Sequence, residues 1–268
     1  MTKKAAEVIE HRRKNPQVRI PDMAQILLDG LVDEAVPEVV KHELRADSTA
    51  PLPPETLYQL ASNCMVVFIG GYDTTRLVLT NWFYVMARYP EVQEKMRQEV
   101  LEAFAKEAGQ LSLLTLTTLP YSNQVICETM RLYPPIITFT TRCADEDYRY
   151  GKYLIKKGTS VMVPTYQLHH DPEYWDEPEK FDPERFSSEN KHSNNAIAYQ
   201  PFGLGPRTCL GQRLALAELA SATAHVLRHY SIALGKSQKR DLEMDTYSIM
   251  AAPKEKVFIR LRRLQQAQ

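Results

Sequence analysis

Glycine, paired cysteine, net charge and long apolar runs are all in short supply in this chain. Its 268 residues include 10 glycines, 4 cysteines and 2 tryptophans, and 33 basic side chains balance 33 acidic ones. With a formal charge of zero there is no global field to draw it to nucleic acid or to an acidic membrane. Cys64, Cys127, Cys143 and Cys209 form no CxxC pair, which argues against a zinc knuckle and against a small disulfide scaffold. Free thiols under reducing conditions are the simpler reading. The opening MTKKAAEVIEHRRKN is charged and has no apolar core, so it is neither a secretory signal nor an anchor. The oiliest region, Leu57 to Ala87, is interrupted by Asn63, Asp73, Arg76 and Asn81, whereas a membrane span needs about 20 predominantly apolar residues. The sequence therefore predicts no transmembrane segment here, only a helix buried in protein. No repeat and no low-complexity tract is found.

What is present suits a globular core: 44% of the residues are hydrophobic and 25% charged. Residues 1–46 read as polar helix, with Pro21 and Asp22 opening the amphipathic run MAQILLDGL. Ser48 to Pro54 is a turn or loop. A long helix is predicted over about 55–88, roughly 50 Å at about 1.5 Å per residue. Pro90 opens another helix, with Val92, Met96, Val100 and Phe104 on one face and Gly109 at its end. A further helix covers about 120–132, stopped by Pro134 and Pro135. The texture then changes. TFTTRCA, DYRYGKYLI and TSVMVPTY are short, β-branched or aromatic, and broken by Gly151 and Gly158, which predicts a small sheet over about 138–166. HHDPEYWDEPEKFDPERF reads as extended loop with short turns. A helix over about 211–229 and a hairpin over about 245–264, turning near Pro253, complete the chain. The predicted class is mainly α with a small β-sheet, and no linker divides it.

The few glycines are unevenly spent. Gly203, Gly205 and Gly211 crowd around Cys209 in PFGLGPRTCLG, residues 201–211. A thiolate is a metal ligand whose charge must be tolerated, and Cys209 lies just ahead of a predicted helix, whose N-terminal amides favour negative charge. The glycines permit backbone shapes closed to other residues and let a large flat partner come close. Phe202 can pack beside the sulfur, and Arg207 offers a fixed cation suited to a carboxylate. One thiolate, a flat partner and a cation for its acidic rim point to haem with a cysteine axial ligand. The bland alternative is a glycine-rich turn with a packing cysteine. Against it stands the spacing FxxGxRxCxG, met at Phe202, Gly205, Arg207, Cys209 and Gly211.

This stretch resembles the haem-binding loop of the cytochrome P-450 monooxygenases, in which the cysteine is the axial ligand of the haem iron. Further motifs follow in the family's order. Glu128 and Arg131 fit its ExxR, whose i and i+3 side chains share a helix face. FDPERF, 181–186, matches its PERF segment, so the resemblance implies that Arg185 joins Glu128 and Arg131 in a buried structural network without chemistry of its own. GGYDTT, 70–75, fits (A/G)Gx(D/E)T(T/S) in the family's longest helix. The two glycines cost about 1 kcal/mol each relative to alanine, and a local helix distortion that opens room for ligand and water is a reason for them. By resemblance, Asp73 and Thr74 relay protons to bound dioxygen; the bland alternative is a kinked core helix. Arg142 in TFTTRCA stands where many relatives hold a haem propionate. His169 and His170 tempt a metal reading, but adjacent histidines ahead of Asp-Pro read as polar loop groups.

The resemblance implies the C-terminal portion of a cytochrome P-450 fold, 1–268 forming part of one domain. It implies haem b (iron protoporphyrin IX), with Cys209 as metal ligand and Phe202, Gly203, Arg207, Gly211 and Arg142 around the cofactor. It further implies electrons from NADPH through NADPH-cytochrome P-450 reductase, with cytochrome b5 as an additional donor, and a lipophilic substrate. The texture is most like the animal microsomal drug- and steroid-oxidising branch, hence the cytosolic face of the endoplasmic reticulum membrane, with a cytosolic or peripheral place as the alternative for a chain carrying no span. Family members are nearly twice as long. The expected fragment lacks the anchor, the helices roofing the substrate pocket, and the early helix whose Trp and Arg hold a propionate. Two rival readings stand beside the monooxygenase. One is a haem-thiolate peroxide isomerase like thromboxane synthase, which needs no proton relay. The other is a non-catalytic fragment that binds haem poorly, or only partners other proteins.

Overall fold

Prolines mark where the main helices begin. The computed structural model describes residues 2–30, 52–190, 197–238 and 241–264, with the side chains of 139–141 excluded. The predicted loop 48–51 and the helical reading of 31–46 lie outside the described residues. Contacts divide the chain into two compact units, Met1–Asp73 and Thr74–Gln268. The single undivided body expected from the absence of a linker is thus replaced by two units whose boundary falls inside a helix.

In the first unit, α1 (Thr2–Lys14) and α2 (Met23–Gly30) share a core with the opening turns of α3 (Pro54–Arg88). Ile9, Ala24, Leu28, Leu60, Ala61 and Cys64 form it. Asp22 caps α2 by accepting from the Gln25 N–H at 3.1 Å. Its carboxylate also receives the buried Arg12 guanidinium on both oxygens. That pairing holds the Asp22 carboxyl below its ordinary range.

The second unit carries the rest of α3, then α4 (Pro90–Lys106), α5 (Leu113–Thr118) and α6 (Pro120–Leu132). Pro54, Pro90 and Pro120 each occupy a first helical position, where the missing N–H costs nothing. Gly109, at φ +86°, closes α4 by donating its N–H to the Phe104 carbonyl at 2.8 Å. Trp82, Val85, Met86, Val92, Met96, Val125 and Leu227 form the main core.

Four strands follow: β1 (Phe139–Cys143), β2 (Tyr148–Tyr150), β3 (Tyr153–Ile155) and β4 (Ser160–Val163). They form two separate antiparallel ladders, β1 with β4 and β2 with β3, so the single small sheet expected here is split. Helix α7 (Thr165–His170) stands at the start of the segment predicted as loop. After α8 (Gln212–His229) the chain makes β5 (Tyr230–Leu234), β6 (Met244–Tyr247), β7 (Met250–Pro253) and β8 (Ile259–Arg263).

The hairpin predicted over 245–264 is corrected. Its turn lies at Ser248–Ile249, with Ser248 at φ +57°, and it joins β6 to β7 only. β8 pairs instead with β5, Tyr230 opposite Arg263 through Leu234 opposite Ile259. Buried polar side chains fasten that ladder to α4. Gln93 donates to the Met86 and Ile232 carbonyls at 2.8 and 2.9 Å and accepts from the Ile232 N–H at 2.8 Å. Arg97 donates to the Leu227 and Tyr230 carbonyls at 2.6 and 2.8 Å. Among the described residues no helix is long and apolar enough to cross a membrane.

Candidate functional site

Helix α6 supplies the fixed point. Glu128 and Arg131, one turn apart and both fully buried, pair through two parallel bonds, Arg131 Nε to Glu128 Oε2 at 2.7 Å and Nη2 to Oε1 at 2.8 Å. The Asp182 N–H donates to Oε1 at 2.9 Å, and Arg185 Nε stands 3.5 Å from the same oxygen. Arg185 is delivered by a 3-10 turn, Pro183–Phe186, which Asp182 caps by accepting from the Glu184 N–H. Burial pushes the Glu128 carboxyl up, and the Arg131 pair, the Asp182 N–H and Arg185 pull it back. Arg131 spends its remaining donors on the His169 carbonyl at 2.8 Å and the Lys180 carbonyl at 3.2 Å, and its guanidinium lies over the Trp175 ring. Glu128, Arg131 and Arg185 are thus brought together.

The cysteine loop is shaped by backbone. Gly203 and Gly205 sit at φ +72° and +78°, which side chains rarely adopt. Gly203 donates to the Gln200 carbonyl at 3.2 Å, and the Cys209 N–H returns to the Phe202 carbonyl at 2.8 Å, closing the loop. Thr208 Oγ1 reinforces it on the Phe202 and Gly203 carbonyls, both at 3.3 Å. Cys209 stands at the exposed rim, and among the described residues its Sγ makes no hydrogen bond. Three residues further on, α8 begins behind Gly211 with no capping side chain, its Gln212 N–H donating to the Cys209 carbonyl at 3.4 Å, so the positive helix end lies close to the sulfur's residue. A Cβ on Gly211 would stand 4.0 Å from that sulfur, and one on Gly205 would meet nothing within 4 Å. Leu210 is 83% exposed, with Leu204 and Leu214 exposed around it, and Arg207 is exposed on the turn Gly205–Arg207. A free sulfur, an open glycine cradle, an apolar rim and a cation fit a large, flat, acid-edged metal complex such as haem.

Phe202 ties this loop to the helices. It packs with Leu79 and Leu216 against Val78, Ile126, Met130 and Leu219. Val78 is one turn beyond Thr74 on α3. Asp73 and Thr74 are both half-buried, and Asp73 belongs to the first unit while Thr74 opens the second. The helix distortion expected at Gly70 and Gly71 is absent. Residues 54–88 are one unbroken α-helix, and a Cβ on either glycine would meet nothing within 4 Å, so no neighbour forces the backbone apart. Arg142 lies on β1 opposite Val161 and is exposed.

His169 is the residue the sequence reading misplaced. It sits on α7 rather than in a loop, and it is fully buried. Its ring lies between the Arg131 carbonyl and the Gln200 N–H and stacks on Tyr199. Burial pushes its pKa down to about 4. The apolar and aromatic residues that follow, Trp175 and Phe186, were the available hint that this Pro-rich run is packed rather than free.

Comparison with known proteins places the chain in a family. The cytochrome P450 family model matches residues 2–260. The chain belongs to the cytochrome P450 family. It is 34% identical to human cytochrome P450 3A7 over 231 residues, covering 86% of this chain and 43% of that protein. Cytochrome P450 9e2 of Blattella germanica is 33% identical over 226 residues, 82% of this chain and 41% of that protein. Cytochrome P450 3A40 of Oryzias latipes is 38% identical over 204 residues, 76% and 40% of the two chains. The chain therefore spans less than half the length of these relatives, and its helices and small antiparallel ladders are part of a cytochrome P450 domain.

Proposed function

We propose that this chain carries the haem-binding half of a haem-thiolate monooxygenase that inserts one oxygen atom from dioxygen into a lipophilic substrate. The observation that carries the reading is the Cys209 sulfur, presented without a hydrogen bond at the rim of a loop held open by two left-handed glycines. Haem b, when bound, supplies the oxygen activation, and a thiolate ligand favours O–O cleavage. The chain's own residues do the rest. Cys209 Sγ is the ligand. Gly203, Gly205 and Gly211 admit the porphyrin, Phe202 packs under the loop, and Arg207 and Arg142 answer the propionates. Glu128, Arg131 and Arg185 hold the loop's foundation rigid. Asp73 and Thr74, an acid and an alcohol adjacent on α3, hold and pass protons at their carboxylate and Oγ1. Support for that last role is the packing of Val78 and Leu79, the next turn of α3, with Phe202.

Electrons come from NADPH through NADPH-cytochrome P-450 reductase, with cytochrome b5 as a further donor. The setting that suits a lipophilic substrate, and the animal relatives, is the cytosolic face of the endoplasmic reticulum. The peroxide isomerase is the weaker reading because it gives the Asp73–Thr74 pair nothing to do.

The test is spectroscopic. The haem-loaded, reduced chain is exposed to carbon monoxide, and the thiolate-type carbonyl spectrum is expected. Cys209→Ala should abolish it, and persistence of that spectrum would remove Cys209 as ligand. With reductase present, Thr74→Ala should divert reducing equivalents to peroxide. Unchanged coupling of electrons to product would take Thr74 out of the relay.

A further inference from the structure

We propose that His169 is a positioning residue for the Cys209 loop, its neutral imidazole fastening the loop's leading residue, Gln200, to the Glu128–Arg131 helix. The inference rests on the reading of Cys209 as haem ligand for its functional meaning, though not for its geometry. The Gln200 N–H lies 2.9 Å from His169 Nε2, so Nε2 must present its lone pair there. The ring proton then belongs to Nδ1, which stands 3.2 Å from the Arg131 carbonyl and donates to it. Arg131 answers through Nη1 to the His169 carbonyl at 2.8 Å. The two residues exchange bonds, and only one tautomer satisfies all of them.

From the imidazole the bonds continue into the loop. The Gln200 carbonyl accepts from Gly203, and the carbonyl of Phe202 accepts from Cys209. Gln200 is itself buried, so its N–H has no water to fall back on. The ring plane is fixed by Tyr199, stacked at 5.4 Å between centroids, whose hydroxyl donates to the Cys127 carbonyl of α6 at 3.1 Å. Both sides of the histidine are therefore anchored on the same helix that carries Glu128 and Arg131. Burial keeps the ring uncharged, as an acceptor at Nε2 requires.

Two substitutions separate this role from mere filling of space. His169→Gln can place its Oε1 near the Nε2 position and keep the acceptor for Gln200. His169→Asn reaches only the Nδ1 position and removes that acceptor. On the haem-free chain, amide exchange at Gln200 and Gly203 should rise about tenfold in His169→Asn, the worth of one hydrogen bond, and stay near wild type in His169→Gln. On the haem-loaded, reduced, carbon monoxide-bound chain, His169→Asn should lose the thiolate-type spectrum about tenfold faster, with His169→Gln again close to wild type. Equal behaviour of the two variants, or unchanged exchange at Gln200 in His169→Asn, overturns the proposal. If wild-type protein gives no thiolate-type spectrum, the haem reading fails, while the exchange comparison still decides the place of His169.

Discussion

Replacing Glu128 by glutamine tests whether the network on α6 is ionic. The side chain is fully buried and receives three donors, Arg131 Nε at 2.7 Å, Arg131 Nη2 at 2.8 Å and the Asp182 N–H at 2.9 Å, with Arg185 Nε at 3.5 Å. Donors reach both carboxyl oxygens, so a proton on either would point at another proton. Glutamine keeps the shape, but its amide must aim N–H groups at Arg131 or at Asp182, and it leaves two guanidiniums near a neutral partner. Removing one member of a buried ion pair costs about 3–5 kcal/mol. Urea unfolding followed by far-UV circular dichroism should show Glu128→Gln losing stability on that scale. Arg131→Met should lose at least as much, because the His169 and Lys180 carbonyls also lose donors. The double variant should fall short of the sum by about 1–3 kcal/mol, the coupling of neighbouring partners. A loss under about 1 kcal/mol in Glu128→Gln would refute the argument. Glutamine mimics a protonated glutamate, so that result would mean burial had already carried Glu128 neutral against its donors.

Two further outcomes follow from buried polar groups. His169 is held down to about 4 from an ordinary 6.5, so the unfolded chain takes up its proton first as pH falls. Its contribution is complete above about pH 6.5 and is lost as pH drops through the folded value near 4, about 3 kcal/mol in all. The stability of wild type relative to the non-titrating His169→Gln, measured by urea titration across that window, should fall by that order as pH drops; a pH-independent difference would contradict the assignment. Gln93→Leu strips partners from the Met86 and Ile232 carbonyls and the Ile232 N–H. It should cost about 3 kcal/mol and raise amide exchange at Ile232, and stability within experimental error of wild type would show that water satisfies those groups.

What could be read from residues alone was what the chain encodes locally. Pro54, Pro90 and Pro120 announce helices because a first-turn proline gives up no hydrogen bond, and Gly109 announces an end because φ +86° is a backbone conformation side chains rarely adopt. The cysteine loop was legible for the same reason: its shape is set by glycines within a few residues of the sulfur. Helix α7 was hidden because six residues give no period, and Pro164 before it with Asp-Pro after it look like loop. The β5–β8 ladder was hidden because nothing near 230 or 260 states which strand will answer the other. A contiguous hairpin is the shorter connection, and the Gln93 amide on a distant helix is what holds the ladder at its centre, Ile232. The boundary of the two units falls between Asp73 and Thr74, inside an unbroken helix where composition leaves no trace.

The histidine marks where such reading stops for the site itself. A motif identifies side chains that bond to side chains, as in Glu128 with Arg131. His169 instead answers a carbonyl on one side and an amide on the other, and every residue type offers those. Its place depends on α6, α7 and the residues before the loop meeting in space, so no pattern around positions 169–170 could distinguish it from its neighbour His170, whose ring bonds within its own turn to the Tyr166 carbonyl. Recognising such a residue from sequence requires knowing first which backbone groups the fold leaves buried and unanswered, here the Gln200 N–H, and asking which side chain within reach carries a lone pair.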